Sequence, residues 1–160
     1  DIECYYNKQD VVNDSVEFQY FRKFTEDMSD DLKPYRTEWM IYDKELKLAG
    51  SIDMIFENED GTLSIYDWKR SKEIKKTSSW NKFSKTECIE HIPDTNYWHY
   101  CLQLNTYKAL LEKNYNKQIK DMYLVCLHPD NKNHSYQRIK VVALNKEISS
   151  LFDLRKEQLK

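Results

Sequence analysis

The stretch that decides the fold reads Ala-Gly-Ser-Ile-Asp-Met-Ile-Phe from Ala49 to Phe56 and Leu-Ser-Ile-Tyr-Asp-Trp-Lys from Leu63 to Lys69. Both segments carry the β-branched and aromatic residues that favour strands. The loop between them contains Asp60-Gly61, a dipeptide typical of hairpin turns. The stretch therefore predicts two neighbouring antiparallel strands joined by a tight loop.

Two carboxylates and one ammonium group lie at the same end of this predicted hairpin. Asp67 and Lys69 share a strand face with Leu63 and Ile65, because every second side chain of a strand points to the same face. Asp53 lies in the middle of the first strand, and hairpin pairing would bring it next to Asp67. Two carboxylates on an apolar sheet repel each other and are costly to desolvate unless a cation binds between them.

The strand pattern leaves two interpretations of these residues open. In the first, Asp53 and Asp67 bind Mg²⁺ or Mn²⁺, hard ions that prefer oxygen ligands, and Lys69 stabilises charge on a phosphate or orients an attacking water. In the second, Asp53 is a strand-end residue, and Asp67 and Lys69 form a solvated ion pair on an edge strand.

Composition limits the class of protein. A chain of 160 residues that is 40% hydrophobic and 14% aromatic predicts one globular domain over residues 1–160. Many nucleic-acid-binding proteins are basic overall, whereas this chain has a net charge of −2. Any contact with nucleic acid must therefore depend on a local cluster of basic residues. The four cysteines form no C-x-x-C pair, which argues against a zinc ribbon or an iron–sulfur cluster. No secretory signal or membrane-spanning apolar run occurs, and this predicts an intracellular location.

The rest of the chain predicts helices and strands in a simple order. Helices are expected over residues 14–28, with Asp14 or Ser15 as N-cap, over residues 97–114, and after an N-cap at Asn145. Further strands are expected over residues 36–42, 121–127 and 136–144. The order of helix, three strands, helix, two strands and helix predicts an α/β or α+β fold, with a mixed central sheet of about five strands flanked by helices.

Two polar groups outside the hairpin have open roles. Glu38 shares a strand face with Met40 and Tyr42, so it is either a third acidic group of a metal site or part of the outward face of an edge strand. His91 and His99 are either ligands or ordinary polar loop residues, and we expect the second.

A basic stretch follows the second strand of the hairpin. It interleaves Trp80 and Phe83 with six cations, Arg70, Lys72, Lys75, Lys76, Lys82 and Lys85. Such a pattern suits a phosphate backbone and stacked bases, and Arg70 and Lys72 are the predicted substrate contacts nearest the carboxylates. A solvated mobile loop is the alternative, and the two are compatible because binding loops are often mobile when empty.

Three motifs resemble, in order, those of the PD-(D/E)xK nuclease superfamily, in particular its RecB-like exonuclease branch. Gly50-Ser51-Ile52-Asp53 is similar to the G-x-x-D strand of that branch, Asp67-Trp68-Lys69 to its D-x-K strand, and the segment from Gln103 to Tyr107 to its Q-x-x-x-Y helix. The resemblance covers residues 36–127 and implies a restriction-endonuclease-like core.

The resemblance also implies roles for individual residues. Asp53 and Asp67 would be metal ligands, joined by the main-chain carbonyl of Trp68, and Lys69 would be the catalytic lysine. Gln103 and Tyr107 would brace the site or contact the DNA backbone. Glu38 resembles an acidic residue that often ends the preceding strand in this branch.

The implied function is Mg²⁺- or Mn²⁺-dependent hydrolysis of phosphodiester bonds in single-stranded DNA or at duplex ends. The resemblance implies an exonuclease rather than an endonuclease, with a role in DNA replication, repair or recombination. Two alternatives stay open. One is an inactive nuclease-like module that binds nucleic acid or acts as a scaffold, and the other is an RNA endonuclease.

One feature of the family pattern has no clear match. Many members carry a histidine or glutamate ligand on an N-terminal helix, whereas no histidine precedes His91 and the surroundings of Glu17 do not resemble that motif. The chain also lacks an initiator methionine. We therefore expect a piece of a larger polypeptide whose first helix precedes residue 1, with weak metal binding and little activity in its absence.

Overall fold

The computed structural model describes residues 1–77 and 82–160, and Trp80 of the basic stretch lies outside them. Within this described part, five strands form one sheet in the order β1-β2-β3-β4-β5. The strands are β1 (Lys33–Asp43), β2 (Leu48–Glu57), β3 (Leu63–Lys69), β4 (Ile119–Cys126) and β5 (Gln137–Lys140). The helices are α1 (Ile2–Tyr6), α2 (Val16–Met28), α3 (Asn96–Asn114) and α4 (Asn145–Gln158), with a 3₁₀ turn at Glu87–Ile89.

The predicted fold class is confirmed. β1, β2 and β3 are antiparallel, β3 and β4 are parallel, and β5 returns antiparallel to β4. The parallel pair requires a crossover, which α3 supplies. The predicted Asp60-Gly61 turn is also present, and Gly61 has a φ of +84° that a glycine adopts without strain.

Apolar side chains cover both faces of the sheet. α2 begins after Ser15, whose Oγ accepts a hydrogen bond from the Phe18 N–H at 3.2 Å, as predicted for an N-cap. Its three buried phenylalanines, Phe18, Phe21 and Phe24, pack on one face of the sheet with Met54, Phe56, Tyr66, Val125 and Leu127. α3 and α4 pack on the other face, over a larger cluster that includes Ile55 and Ile65.

Several predicted boundaries are wrong, among them both ends of β4, which runs from Ile119 to Cys126 and not from 121 to 127. β1 begins at Lys33, before Pro34, because an edge strand with a bulge between Pro34 and Arg36 tolerates a proline. The helix α4 begins at Asn145 itself, so its N-cap is Leu144 and Asn145 is not the cap. β5 ends at Lys140, four residues before the predicted end.

The short β5 has a specific cause in the side chain of Asn105. This side chain on α3 is only 2% exposed. Its Nδ2 donates to the Val142 carbonyl at 2.9 Å, and its Oδ1 accepts from the Leu144 N–H at 2.8 Å. The Val141 N–H still donates to the Met122 carbonyl of β4 at 2.9 Å, and after Val141 the chain bonds to α3 through Asn105 instead of continuing the sheet. None of the helices in the described residues is long and apolar enough to cross a membrane.

Candidate active site

Asp53 and Asp67 lie where the pairing of β2 with β3 ends. The ladder runs from Glu57–Leu63 to Met54–Tyr66, and the same register puts Asp53 opposite Asp67. Beyond the ladder, the Trp68 N–H donates to Asp53 Oδ2 at 3.0 Å, so a side-chain oxygen replaces the main-chain partner. The strands thus bring the two carboxylates together as their sequence pattern predicts.

The acidic pair has unusual electrostatics. Burial, then the Asp67 carboxylate, raise the pKa of Asp53 to about 7, and Glu38 adds a smaller effect in the same direction. The hydrogen bond from the Trp68 N–H acts in the opposite direction. Asp67 is 5% exposed. Two facing carboxylates, one buried and one half-buried, form a site that gains free energy by binding a cation.

Lys69 forms an ion pair with Asp67 inside the protein. Its Nζ lies 2.6 Å from Asp67 Oδ2, and the two side chains are only 20% and 7% exposed. β3 is the central strand of the sheet, so the alternative of a solvated pair on an edge strand is wrong. Lys69 Nζ also lies 4.2 Å from the centroid of the Tyr100 ring, within the range of a cation–π contact.

The chemistry of the donors fits a hard divalent cation. Asp67 Oδ2 is fully buried and lies 2.6 Å from Lys69 Nζ, and a carboxylate oxygen that contacts one cation keeps a lone pair for a second ligand. Carboxylate oxygens are the ligands that Mg²⁺ and Mn²⁺ prefer. No cluster of three or more His, Cys, Asp or Glu side chains suited to a metal occurs in residues 1–77 and 82–160. Protein ligands beyond the acidic pair would therefore come from main-chain oxygens, such as the predicted Trp68 carbonyl.

Glu38 lies beside the acidic pair but on the exposed side of β1. The pairs Thr37–Met54 and Trp39–Ile52 put it opposite Asp53. Its φ of +44° is unusual for a residue other than glycine. Its Oε2 accepts a hydrogen bond from Ser51 Oγ at 3.2 Å. Glu38 therefore belongs to the outward face of the edge strand β1 and still raises the pKa of Asp53, while its part in a metal site stays a prediction.

Gln103 and Tyr107 form one unit on α3. Gln103 Nε2 donates to the Tyr107 hydroxyl at 3.0 Å, across one helical turn. The tyrosine ring lies against Gly50, where a Cβ would be 2.4 Å from Cε1 of the ring. Burial raises the pKa of Tyr107, with further contributions from Asp67 and Asp53. The helix motif therefore contacts the β2 motif next to the carboxylates.

The two predicted substrate contacts differ. Arg70 Nε lies 2.8 Å from Glu17 Oε1 on α2, so this guanidinium is already paired, although the pair is exposed on the arginine side. Lys72 is exposed. Glu17, the candidate substitute for the missing N-terminal ligand, is held by Arg70. His91 contacts Glu147 at 3.2 Å.

Tyr100 is the site residue that the sequence analysis missed. It lies three positions before Gln103 and seven before Tyr107, so all three share one face of α3. The helical spacing of Tyr100 from Gln103 and Tyr107 could have indicated from the sequence that Tyr100 belongs to the site. His99, its neighbour in sequence, lies in α3 and not in the predicted loop, and it contacts Asp94 at 2.6 Å.

Comparisons with known proteins give one family. The family model of the PD-(D/E)XK nuclease superfamily matches residues 7–159. Of the solved structures, SSO0001 is 15% identical to this chain with a TM-score of 0.40. The match covers 90% of this chain and 59% of SSO0001, so this chain spans less than two thirds of the length of SSO0001. A "Putative exonuclease" from Eubacterium rectale is 9% identical with a TM-score of 0.44, over 98% of this chain and 70% of that one. A comparison with curated proteins gives no match.

Proposed function

The chain belongs to the PD-(D/E)XK nuclease superfamily, and on this premise we propose that it hydrolyses phosphodiester bonds in DNA with the help of Mg²⁺ or Mn²⁺. The observation that supports this most is the position of Asp53, Asp67 and Lys69, two carboxylates and an ammonium group at the point where β2 and β3 separate. The assignment to the RecB-like branch stays a prediction.

Each residue of the site has a proposed role. Asp53 and Asp67, with the Trp68 carbonyl, would hold the divalent ion, which when bound supplies charge neutralisation and a water of lowered pKa. Lys69 would stabilise the negative charge that develops on the phosphate oxygens. Asp67 and the Tyr100 ring hold its ammonium group in place before substrate arrives, which reduces the reorganisation needed during the reaction.

The outer residues would position the substrate. Gln103 and Tyr107 present an amide and a hydroxyl beside the carboxylates, and both are suited to a phosphate or sugar oxygen. Lys72 is exposed and available to a phosphate. Arg70 would have to leave Glu17, or bind DNA with its free nitrogen atoms while Nε stays paired. Glu38 would tune the acidic pair without binding the ion.

We favour DNA over RNA and an exonuclease over an endonuclease because the Q-x-x-x-Y motif is present from Gln103 to Tyr107. An intracellular role in DNA replication, repair or recombination, as one domain of a larger assembly, follows as part of the same proposal.

Digestion of labelled oligonucleotides tests this function. We expect the chain to degrade single-stranded or end-accessible DNA slowly with Mn²⁺ and to lose this activity with EDTA. Asp67→Asn and Lys69→Ala should abolish cleavage and keep the fold, as judged by circular dichroism. Wild-type rates in either variant would contradict the mechanism. Parallel digestion of RNA of the same sequence decides the substrate class.

One observation supports a second candidate, a nuclease-like module that binds nucleic acid without cleaving it. The described residues form no group of three or more His, Cys, Asp or Glu side chains suited to a metal, although Glu38 lies opposite Asp53. Calorimetry with Mn²⁺ separates the two candidates, with Asp67→Asn as control. Binding that the variant loses favours the nuclease, whereas DNA binding without metal binding or cleavage favours the module.

A further inference from the structure

A groove of about 500 Å³ lies on the α3 side of the molecule, apart from the carboxylates. Four lysines line it, Lys76, Lys108, Lys120 and Lys140. Asp121 is the one carboxylate among the described residues of its lining. The groove is therefore strongly basic, although the chain as a whole has a net charge of −2.

The lysines of this basic groove come from four separate parts of the fold. Lys76 belongs to the loop after β3, Lys108 to α3, Lys120 to the start of β4 and Lys140 to the end of β5. No single run of sequence contains them, so tertiary structure alone makes this patch. Repulsion between clustered like charges opposes folding. A bound anion would offset this repulsion between the lysines.

Tyr97 joins the two ends of the basic groove. Its ring is buried, and Lys76 Nζ lies 4.9 Å from the ring centroid. Its hydroxyl donates to the Lys140 carbonyl at 3.1 Å. The loop that carries Lys76 is held by two further bonds, from the Trp98 indole N–H to the Lys76 carbonyl at 2.9 Å and from the Tyr97 N–H to the Lys75 carbonyl at 3.3 Å.

The ammonium groups of the groove remain available to a ligand. Lys120 Nζ lies 3.8 Å from Asp60 and Lys140 Nζ lies 3.4 Å from Asp121, with more than half of each lysine side chain exposed. Exposed pairs of this kind contribute little free energy, so a phosphate can replace the carboxylate. Lys108 Nζ contacts only the neutral amide oxygen of Asn145, at 3.3 Å, among its described hydrogen bonds.

We propose that the basic groove binds the phosphodiester backbone of a nucleic-acid strand outside the cleavage site. This inference rests on the proposed function and adds to it a second contact region, which the loop from Lys69 to Lys76 connects to the carboxylates. Tyr97 is buried and cannot stack on a base, so the contact is electrostatic and independent of base sequence. Binding there holds a strand on the enzyme and contributes to affinity, while the chemistry stays with Asp53, Asp67 and Lys69.

Binding of a fluorescent DNA oligonucleotide in EDTA, followed by anisotropy over a range of KCl concentrations, tests this inference. The variant Lys108→Gln/Lys120→Gln/Lys140→Gln removes three groove charges. The matched control Lys23→Gln/Lys33→Gln/Lys44→Gln removes three charges elsewhere. We expect the groove variant to reduce the slope of log affinity against log salt by about 2, since each phosphate contact on a single strand contributes about 0.7. The control should keep the wild-type slope.

A second variant changes the affinity in the opposite direction. Asp121→Asn removes the carboxylate of the groove and should strengthen binding, whereas the surface control Asp153→Asn should not. Equal slopes in the groove variant and the lysine control would overturn the inference. Absence of oligonucleotide binding by the wild type would also overturn it.

Cleavage assays with Mn²⁺ on the same variants separate this inference from the proposed function. The groove variant should raise the KM for DNA and leave kcat near the wild-type value. Binding that depends on the groove without any cleavage would contradict the proposed function and support the groove. Cleavage by the wild type, together with a groove variant that binds and cuts like the control, would support the function and contradict the groove.

Discussion

Gly50 of β2 lies directly against the ring of Tyr107 on α3, and a Cβ at Gly50 would stand 2.4 Å from Cε1 of that ring. The first residue of the G-x-x-D motif and the last residue of the Q-x-x-x-Y motif are therefore in contact. Gly50 is required for space, since a side chain there would push the tyrosine away from the carboxylates.

Gly50→Ala should lower both stability and activity. Overpacking of this kind costs about 1–3 kcal/mol, measurable as a lower midpoint of urea unfolding. We expect the double variant Gly50→Ala/Tyr107→Leu to be more stable than Gly50→Ala alone, because the smaller side chain removes the clash. Activity should stay low in the double variant, since the Tyr107 hydroxyl is lost. A double variant no more stable than the single one would contradict the contact.

Tyr100 should affect cleavage through the position of Lys69. Tyr100→Leu removes the ring 4.2 Å from Lys69 Nζ, and Tyr100→Phe keeps it. A cation–π contact is worth about 0.5–2 kcal/mol, so we expect kcat to fall roughly 2- to 30-fold in the leucine variant and to stay near wild type in the phenylalanine variant. Titration of Mn²⁺ should be unchanged in both. Equal losses in the two variants would show that the hydroxyl, and not the ring, matters.

Asp53 should make the metal-free protein less stable as pH rises. The pKa of Asp53 is about 7 in the fold, above its ordinary value of 3.8. The folded state therefore keeps a proton that the unfolded state loses, and stability falls between pH 4 and pH 7 and is constant above that range. We expect Asp53→Asn to remove a decline on the order of 1–3 kcal/mol. Urea unfolding at several pH values in EDTA measures this, and the same pH dependence in the variant would contradict it.

Metal affinity should depend on pH in the opposite sense. A divalent ion must displace the proton of Asp53, so affinity rises with pH up to about 7 and then levels off. Calorimetry with Mn²⁺ at several pH values, in buffers of different ionisation enthalpy, should show release of about one proton per ion below pH 7. A flat profile would place the ion away from Asp53.

Much of the fold could be predicted because local patterns decided it. The Asp60-Gly61 turn, the alternation of Leu63 to Lys69 and the Ser15 cap each depend on residues close in sequence. The prediction for the end of β5 failed because a distant side chain intervened. Asn105 of α3 ends β5 early through two hydrogen bonds to the chain after it.

A second omission concerns Asp43, which the sequence analysis left without a role. It is 3% exposed, and its Oδ1 accepts from the Leu46 N–H at 2.7 Å. Burial tends to raise its pKa, but hydrogen bonds from Asn114, the Leu46 N–H and Lys113 lower the pKa to about 2. Two of these donors lie on α3, far away in sequence.

The sequence by itself determined the hairpin of β2 and β3 and the carboxylate pair, because hairpin register and side-chain alternation follow from neighbouring residues. Tertiary structure alone decided that Tyr100 and Tyr107 reach Lys69 and Gly50, and that four distant lysines line one groove. The physical reason is that core packing sets the position at which helix α3 crosses the sheet. Residues of α3 there contact residues of β2 and β3 that are far away in sequence, and the sequence does not indicate that they are close in space.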